Sequence, residues 1–407
     1  TGLPTGKNES WRSTSLRALT KLTLTAQAPH GVSIDALPAI PLAQGRARAR
    51  LVLVNGRYRA DLSDLNALQG GAAGPLGDAP AAVLQALTAQ DALALEPLAA
   101  LNAAGGLDGA YVSVPVGATV EALIEIVHVA VNGEGAAPLS QPRLTINLDQ
   151  GASAVIVEHH VGVGIGAAVV NAAADIHLAP GARLRHYVAQ RAAESAFHFS
   201  AASVTVAAGA TYDSFALNLG GKLARHEIAV RLAGEGASCV LDGAYIVDGD
   251  RHTDTTTRID HLSPGATSRE VYKGVVDDGA QAVFQGKIVV HKDAQRTDGH
   301  QLNRALLLSD KAGVDAKPEL EIYADDVKCS HGCTVGELDD AALFFLRARG
   351  IPKEEARALL IAAFLQEAVD DIADEDVRGA FAALIDARLH CSSPEVNPKE
   401  SGHAAGN

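Results

Sequence analysis

The stretch PGATSREVYKGVVDDGAQAVFQGKIVV, residues 264–290, contains two short segments of alternating character, and a Gly-Ala pair precedes each of them. In the second segment Phe284 and Ile288 fall on one side, whereas Gln285 and Lys287 fall on the other. A period of two residues is typical of a β-strand that buries one face. The stretch therefore predicts two strands joined by a tight turn, with no helix between them.

The same Gly-Ala punctuation recurs along the middle of the chain. The pairs begin at Gly117, Gly151, Gly181, Gly209, Gly236, Gly265 and Gly279, in steps of 34, 30, 28, 27, 29 and 14 residues. Such a period, with one half-step, indicates stacked repeats, because a unit of two short strands cannot bury its apolar face alone. We predict a parallel β-helix over residues 106–337. A β-sandwich is the alternative, but hairpins usually join its strands.

The segment before the repeats has a different character. Residues 1–105 predict a mixed, mostly helical N-terminal domain, in which the Ala- and Leu-rich residues 81–101 have helical spacing. Residues 51–62 predict a β-hairpin that turns at Asn55-Gly56, a dipeptide that suits a type I′ turn.

The segment after the repeats returns to helical spacing. Residues 338–391 predict a C-terminal helical domain with helices over 339–349, 352–372 and 374–388. Residues 392–407 predict a disordered tail. The expected fold class is therefore mainly β, with a parallel β-helix between two flanking domains.

Composition excludes several classes of protein. The net charge of −14 argues against nucleic-acid binding, which requires a basic surface. No apolar run approaches the roughly 20 residues that span a membrane. Four cysteines are too few for a disulfide framework, so we expect a reducing, cytoplasmic location. Methionine is absent even at position 1, which indicates a fragment of a longer chain or a sequence that lacks some residues.

The stretch KCSHGCTVG holds two of the four cysteines, with a histidine midway between them. On a strand, Cys329, His331 and Cys333 would share one face at intervals of about 6.6–6.8 Å. Three ligands in such a row chelate poorly, so we predict at most part of a metal site, which another chain completes. The alternative is a core cysteine at 329 and an ordinary surface histidine at 331.

Three other motifs receive structural interpretations. GVGIGAA, residues 162–168, precedes a strand-like segment and predicts a wide turn, not a dinucleotide fingerprint. LGGKLAR, residues 219–225, lacks parts of a phosphate loop, so we expect no ATP hydrolysis by this chain. HTDTTTRIDH, residues 252–261, favours a polar outer face over a metal-binding face, and Asn303 is expected in an inward side-chain ladder.

Several long segments of the chain resemble the SufB/SufD family of iron–sulfur cluster assembly proteins. They include DGAYIVDGDRHTDTTTRIDHLSPGATSREVYKGV, QRTDGHQLNRALLLSD, TVGELDDAALFFLRARGIP and the N-terminal LPTGKNESWRSTSL. YADDVKCSHG resembles the SufD branch and differs from the SufB branch. The resemblance implies a right-handed β-helix between an N-terminal domain and a C-terminal helical domain.

The resemblance also implies a function. A member of this branch is expected to be a non-enzymatic scaffold that pairs with SufB along the β-helix and builds nascent clusters for transfer. His331 matches the family's histidine at the SufB interface and would hold iron transiently, with Cys329 two residues before it. Cys333 departs from the family's usual small residue. No stably bound cofactor is expected; a flavin in the complex and a homodimer of the isolated chain are left open.

The same resemblance implies that the ATPase SufC binds the C-terminal helices. Apolar residues cover roughly 260° of the predicted helix over 352–372, more than the ~100° that one buried face needs. That excess fits either the centre of a small helical domain or a docking face. The expected docking residues are Leu343, Phe344, Arg347, Leu360 and Phe364.

Two rival functions follow from the residues alone. Parallel β-helices also host carbohydrate-active lyases and hydrolases, but aromatic residues make up only 4% of this chain. The second rival is a stand-alone metal-binding protein, in which the Cys-x-His-x-Cys stretch would act without a partner.

Overall fold

The computed structural model describes residues 3–26, 46–81, 83–84, 97–105 and 108–391. The strands in these ranges are β1 (Leu24–Thr25), β2 (Arg48–Val54), β3 (Arg57–Tyr58), β4 (Ala72–Pro75), β5 (Gly109–Val114), β6 (Leu123–Val131), β7 (Ala137–Ser140), β8 (Arg143–Leu148), β9 (Ser153–Val163), β10 (Val169–Leu178), β11 (Arg183–Arg191), β12 (Phe197–Val206), β13 (Thr211–Asn218), β14 (Leu223–Leu232), β15 (Ser238–Val247), β16 (His252–His261), β17 (Thr267–Val276), β18 (Gln281–Val290), β19 (Thr297–Leu307), β20 (Gly313–Ile322) and β21 (Val327–Gly336). The helices are α1 (Pro97–Ala104), α2 (Asp340–Arg347), α3 (Lys353–Val369) and α4 (Glu375–Cys391), with 3-10 turns at Glu9–Trp11, Leu19–Lys21 and Leu76–Asp78.

The strands form two facing sheets. Sheet 1 has the order β21-β19-β17-β15-β13-β11-β9-β6-β2-β3, and sheet 2 has the order β20-β18-β16-β14-β12-β10-β8-β5-β4, joined at one side by β1 and β7. From β8 onward, consecutive strands alternate between the sheets and pair in parallel with the strand two further along. This confirms the mainly β, parallel β-helix prediction, because a sandwich would place antiparallel hairpin partners side by side.

The Gly-Ala period matches the coil of this β-helix. Leu223 pairs with His252, and His252 pairs with Gln281, an offset of 29 residues in both cases. Gly265 adopts φ +69° at the turn that enters β17, a left-handed conformation that costs glycine little. The half-step at Gly279 arises because that pair precedes a strand of sheet 2. There Asp278, with φ +53°, takes the left-handed position.

The interior between the two sheets is the main hydrophobic core. Inward-facing residues such as Ile156, Leu184 and Leu241 of sheet 1 pack against Val204 and Val230 of sheet 2, and all five are almost completely buried. Successive coils therefore bury the face that one coil alone would leave exposed.

The outer face of sheet 1 is covered by the C-terminal helices. Phe381 of α4 packs its ring 6.4 Å from that of Tyr187 and 5.9 Å from that of Phe215. Leu365 of α3 and Ile385 of α4 join the same buried cluster. Much of the apolar surface of these helices therefore faces the chain's own β-helix.

The outer face of sheet 2 is covered by the N-terminal segment instead. Trp11 lies over Arg225, with the guanidinium carbon 4.1 Å from the ring centroid. Arg225 in turn forms a buried ion pair with Asp254, and the Thr14 hydroxyl donates to the same carboxylate. The two outer faces are thus covered by different ends of the chain, and the outer face of sheet 2 combines this ion pair with an apolar cluster around Trp11.

Two local predictions in the flanking segments, a hairpin turn and a helix cap, agree with the structure. The β2–β3 hairpin turns at Asn55 and Gly56, both with positive φ, and β2 pairs in parallel with β6, so it extends sheet 1 beyond the predicted boundary at residue 105. Asp339 caps α2 by accepting hydrogen bonds from the amides of Ala341 and Ala342.

Other predictions fall mostly outside the described residues. Residues 97–101 of the predicted 81–101 helix lie in α1, whereas most of the remainder is not described. The helical majority expected for residues 1–105 and the disordered tail at 392–407 stay predictions for the same reason. No helix within the described ranges is long and apolar enough to cross a membrane.

Candidate functional site

The end of the β-helix carries the Cys-x-His-x-Cys stretch. Strand β21 is the terminal strand of sheet 1, and β20 is the terminal strand of sheet 2. On β21, Cys329, His331 and Cys333 pair with Gly299, Gln301 and Asn303 of β19. We call Cys329, His331 and Cys333 the edge row.

The edge row continues the inward-facing columns of sheet 1. Cys329 is half-buried against the interior core, whereas His331 and Cys333 are exposed. In the strand beneath them, Gln301 and Asn303 are buried. The inward positions of β21 are accessible because no further strand covers them in the described structure.

Both thiols of the edge row are held in the protonated state. Burial raises the pKa of Cys329, although a backbone hydrogen bond from Gly299 opposes this shift. Burial also raises the pKa of Cys333, whose Sγ lies 3.8 Å from the Asn303 Oδ1. Because the thiolate is the form that binds metal, ligation here must be coupled to proton release.

A buried polar column lies directly beneath His331. Glu270, Gln301 and His331 are successive register partners across β17, β19 and β21. The Gln301 Nε2 donates to the Glu270 Oε2 at 2.8 Å. Burial raises the pKa of Glu270 to about 7, although hydrogen bonds from Thr257 and Gln301 act to lower this pKa. The side chain of Asn303 is fully buried next to this column, which agrees with the predicted inward position, whereas the side-chain ladder stays a prediction.

The edge row does not form a complete metal site by itself. Among the described residues, the one group in which three metal-ligating atoms converge is His128, Glu158 and His160, with all three atoms within 4.8 Å of one another. That group lies inside the β-helix, on β6 and β9. That the edge row offers part of a coordination sphere, completed by another chain, therefore stays a prediction.

The buried group includes a fourth residue. Glu158 Oε2 lies 3.1 Å from His128 Nε2 and 3.2 Å from His160 Nε2, and its Oε1 lies 2.6 Å from His186 Nε2. The rings of His128 and His160 stack at 4.3 Å and are parallel within 4°. We call His128, Glu158, His160 and His186 the histidine cluster.

Burial and the imidazoles set the charge state of the histidine cluster. Burial would raise the pKa of Glu158, but hydrogen bonds from the three histidines hold it well below its ordinary value. Burial lowers the pKa of His160 to about 4. The cluster therefore combines an ionised carboxylate with at least one neutral imidazole.

Sequence reasoning missed the histidine cluster. The sequence signal for this cluster was the run VEHH, residues 157–160, in β9. Because side chains alternate along a strand, Glu158 and His160 point inward together with Ile156. His128 lies on the strand one coil before β9, and His186 lies on the strand one coil after it. Both are too far from Glu158 in the sequence to form a recognisable local motif with it.

The structure divides the five predicted docking residues. Phe344 and Arg347 are exposed, Phe344 at 74%, whereas Leu343, Leu360 and Phe364 are half-buried. Phe364 packs towards the β-helix, with the Lys273 Nζ 5.0 Å from its ring centroid. This residue is engaged by its own chain, because α3 lies on the outer face of sheet 1.

Large apolar side chains are exposed on two helices of the helical domain. Phe344 and Phe345 lie on α2, the latter at 53% exposure, and Leu359 lies on α3 at 47%. The guanidinium of Arg349 stacks over the Phe345 ring at 3.3 Å. Phe344 and Phe345 are called the α2 patch.

The other motifs have structural roles in the described chain. HTDTTTRIDH forms β16, where Asp254 pairs with Arg225, Asp260 pairs with Arg258, and Thr14 packs over the outer face. This fits the polar outer face that the sequence favours, although the N-terminal segment covers part of it. GVGIGAA leads into strand β10, so the helix of a dinucleotide site is absent at that point.

The described structure is thus a two-sheet parallel β-helix whose terminal strand carries two cysteines and a histidine. Residues 129–364 match the family model for the SUF system FeS cluster assembly, SufBD core domain. The chain belongs to the SufB/SufD family of iron–sulfur cluster assembly proteins, as a SufD-type member.

Individual relatives support this assignment. The iron–sulfur cluster assembly protein SufD of Escherichia coli is 33% identical over 96% of this chain and 90% of its own length. An iron–sulfur cluster assembly SufBD family protein of Synechocystis is 30% identical over 95% of this chain and 87% of its own length. Protein ABCI7, chloroplastic, of Arabidopsis thaliana is 32% identical over 68% of this chain and 60% of its own length.

Proposed function

We propose that the chain is a scaffold subunit on which SufB completes an iron–sulfur assembly site at the edge row. The observation that carries this proposal is the exposure of His331 on a terminal strand, in line with a buried inward column. An uncovered strand edge offers unpaired backbone groups to a second chain. A SufB strand placed beside β21 would bring its own side chains next to the same column.

The ligand chemistry of the edge row suits temporary holding. A neutral imidazole is a borderline ligand that binds iron but releases it more readily than a thiolate. Two thiols with raised pKa values ligate only after they lose protons. Capture then depends on groups from the partner, which is what a site of assembly and transfer requires.

The test is a His331→Ala variant co-expressed with cognate SufB and SufC and purified anaerobically. The complex should assemble normally, since the ring is exposed. Its iron and sulfide content should fall at least about tenfold, the lower end of what loss of a metal-supporting group costs. The matched control is His300→Ala, an exposed imidazole on the neighbouring strand that contacts Asp298 at 2.7 Å.

Three outcomes contradict the proposal. Full iron and sulfide content in His331→Ala would show that the imidazole is not needed. An equal loss in His300→Ala would show that any histidine removed from this end disturbs the complex. Loss of SufB from the purified His331→Ala complex would instead assign the residue to subunit binding.

We further propose that the ATPase SufC docks on the α2 patch. Exposed aromatic side chains next to an arginine are typical centres of protein interfaces. Phe344→Ala should weaken SufC binding by about 2 kcal/mol, roughly a 30-fold loss of affinity. The control is Ile165→Ala, because Ile165 is equally exposed, at 76%, in the turn before β10. Unchanged SufC affinity in Phe344→Ala would remove the docking proposal.

The remaining parts of the proposal follow from this role. The chain acts without enzymatic activity of its own, ATP hydrolysis belongs to SufC, and the complex works in the cytoplasm. The support is the family assignment together with the low cysteine content. The alternative of a carbohydrate-active enzyme receives no support from these relatives. The names of the first two refer to iron–sulfur cluster assembly.

A further inference from the structure

We propose that the histidine cluster inside the β-helix binds one divalent transition-metal ion, with His128, Glu158, His160 and His186 as ligands. This resident ion would be separate from any iron that passes through the edge row. The inference goes beyond the assembly role and does not depend on it. It revises the expectation from the sequence that no metal is stably bound.

The first argument is convergence. His128, Glu158 and His160, on two adjacent strands of sheet 1, each place a ligand atom within 4.8 Å of the other two, and the Nε2 of His186, on the next strand, lies 2.6 Å from the second carboxylate oxygen of Glu158. Donor atoms around a tetrahedral ion with bonds of about 2.0–2.1 Å lie roughly 3.3 Å apart. The His128 and His160 nitrogens lie 3.1 and 3.2 Å from the Glu158 Oε2, close to this separation, so modest shifts of the rings would place an ion among the three ligand atoms, and His186 would complete the set by moving from the second carboxylate oxygen to the same ion.

The second argument is the number of imidazoles that face one carboxylate. The Nε2 atoms of His128, His160 and His186 all lie within hydrogen-bond distance of the two oxygens of Glu158. A cation among these atoms would take the same nitrogens and a carboxylate oxygen as its ligands.

The third argument is charge. Glu158 is 5% exposed, and all of the ion pairs found for it in the described structure are with histidines. A buried carboxylate is costly unless it is paired, and these histidines carry a full positive charge only when they are protonated. A divalent ion would neutralise it without protonation of the imidazoles.

The fourth argument is space and support. A cavity of about 30 Å³ adjoins the cluster and is lined by His128, Glu158, His160, His186 and His226. That is enough for a water-sized species. The Nδ1 of His186 lies 2.9 Å from the Tyr212 hydroxyl, an outer partner of the kind that orients a metal-binding imidazole.

The ligand set indicates which ions fit. Three imidazoles and one carboxylate, with no sulfur, form a ligand set that suits Zn²⁺ or Fe²⁺. A stored iron–sulfur cluster would need thiolate ligands, which this site lacks. The edge row, by contrast, contains two thiols. Sulfur in the coordination sphere therefore distinguishes the two sites.

The experiment uses the full chain without an affinity tag, carrying Cys329→Ser, His331→Ala and Cys333→Ser to remove the edge row. Co²⁺ and Zn²⁺ are titrated separately into chelator-treated protein, and Fe²⁺ is titrated anaerobically. We expect one equivalent of metal, nitrogen and oxygen ligands alone in X-ray absorption, and Co²⁺ absorption bands of a low-symmetry site.

The test variant is Glu158→Gln on the same background, and the matched control is Glu270→Gln, a second buried glutamate on the inward face of sheet 1. Glu158→Gln should weaken Co²⁺ binding at least about 100-fold, the upper end of what loss of a supporting group costs. Glu270→Gln should bind as the background does.

The proposal is overturned by less than a tenth of an equivalent of each metal, by sulfur in the coordination sphere, or by binding that survives Glu158→Gln. If Glu158→Gln does not fold, His128→Gln replaces it. If both variants fail to fold, the X-ray absorption result on the parent protein decides the outcome alone. Absence of binding would make the cluster a proton-sharing network of structural value.

Discussion

His186 and His331 occupy the same inward-facing column of sheet 1, yet their surroundings are opposite. Register pairs connect them through Ser214, Leu241, Glu270 and Gln301, five strands apart and about 24 Å at the usual strand spacing. His186 is sealed in the core by further coils on both sides, whereas His331 lies on the terminal strand and is exposed.

The comparison shows that burial by neighbouring strands, and not residue type, decides which ions or partner chains can reach a histidine in this column. In the sealed region only a small ion can reach the ligands, and the ligands all come from one chain. At the open edge the chain supplies too few ligands, but a second chain can approach. Under the two proposals, a single β-helix carries a resident site in its interior and a shared site at the edge where sheet 1 ends at β21.

Thiol reactivity should show the largest difference between the two regions. Cys239 is almost completely buried in the interior core, so a reagent reaches it only when the core opens. At a stability of about 5 kcal/mol or more, it should react at least ~1,000-fold more slowly than Cys333. Mass-spectrometric peptide mapping during native alkylation measures both rates.

The pH dependence of this labelling has a defined sign. Burial raises the pKa of Cys333 and also that of Cys329, so the reactive thiolate fraction should grow with pH through and above 9. Comparable rates for Cys239 and Cys333 would break the comparison, because the interior would then be as open as the edge.

A glycine substitution should show the next largest difference, in stability. Gly274 faces the ring of the buried Tyr245, and a Cβ atom there would overlap the ring. Gly274→Ala should therefore lower the free energy of unfolding by about 3 kcal/mol, the upper part of the range for overpacked cores. Gly336→Ala, on β21 with no atom within 4 Å of the added Cβ, should change it by less than about 0.5 kcal/mol.

Chemical denaturation of the isolated chain measures both glycine variants. Equal effects would mean that the terminal strand is packed as tightly as the interior, contrary to the exposure of the edge row. A small effect of Gly274→Ala alone would mean that Tyr245 can move, and that the interior is less rigid than its burial indicates.

The sequence predicted the coil of the β-helix because its signal is local and repeated. Gly-Ala turns such as Gly265 need a left-handed conformation, and the alternation in segments such as 281–290 follows directly from strand geometry. The cap at Asp339 and the turn at Asn55-Gly56 were predictable for the same reason.

The edge row was also predictable, since its residues lie on one strand, but the histidine cluster was not. Its members come from three strands that are adjacent only after the chain completes each coil. Likewise, nothing local showed that Phe364 would pack towards the β-helix while Phe344 stayed exposed, because that depends on where α3 lies.

The most direct measurement of the central claim is amide hydrogen exchange of the chain alone and in complex with SufB. The terminal strand of a sheet has backbone groups without a partner on one side. We expect SufB to slow exchange across residues 327–336, including the edge row, while exchange in β3 and β4 at the opposite end stays the same. Unchanged exchange in β21, in a complex that has formed, would contradict the proposal that SufB completes a site at this edge.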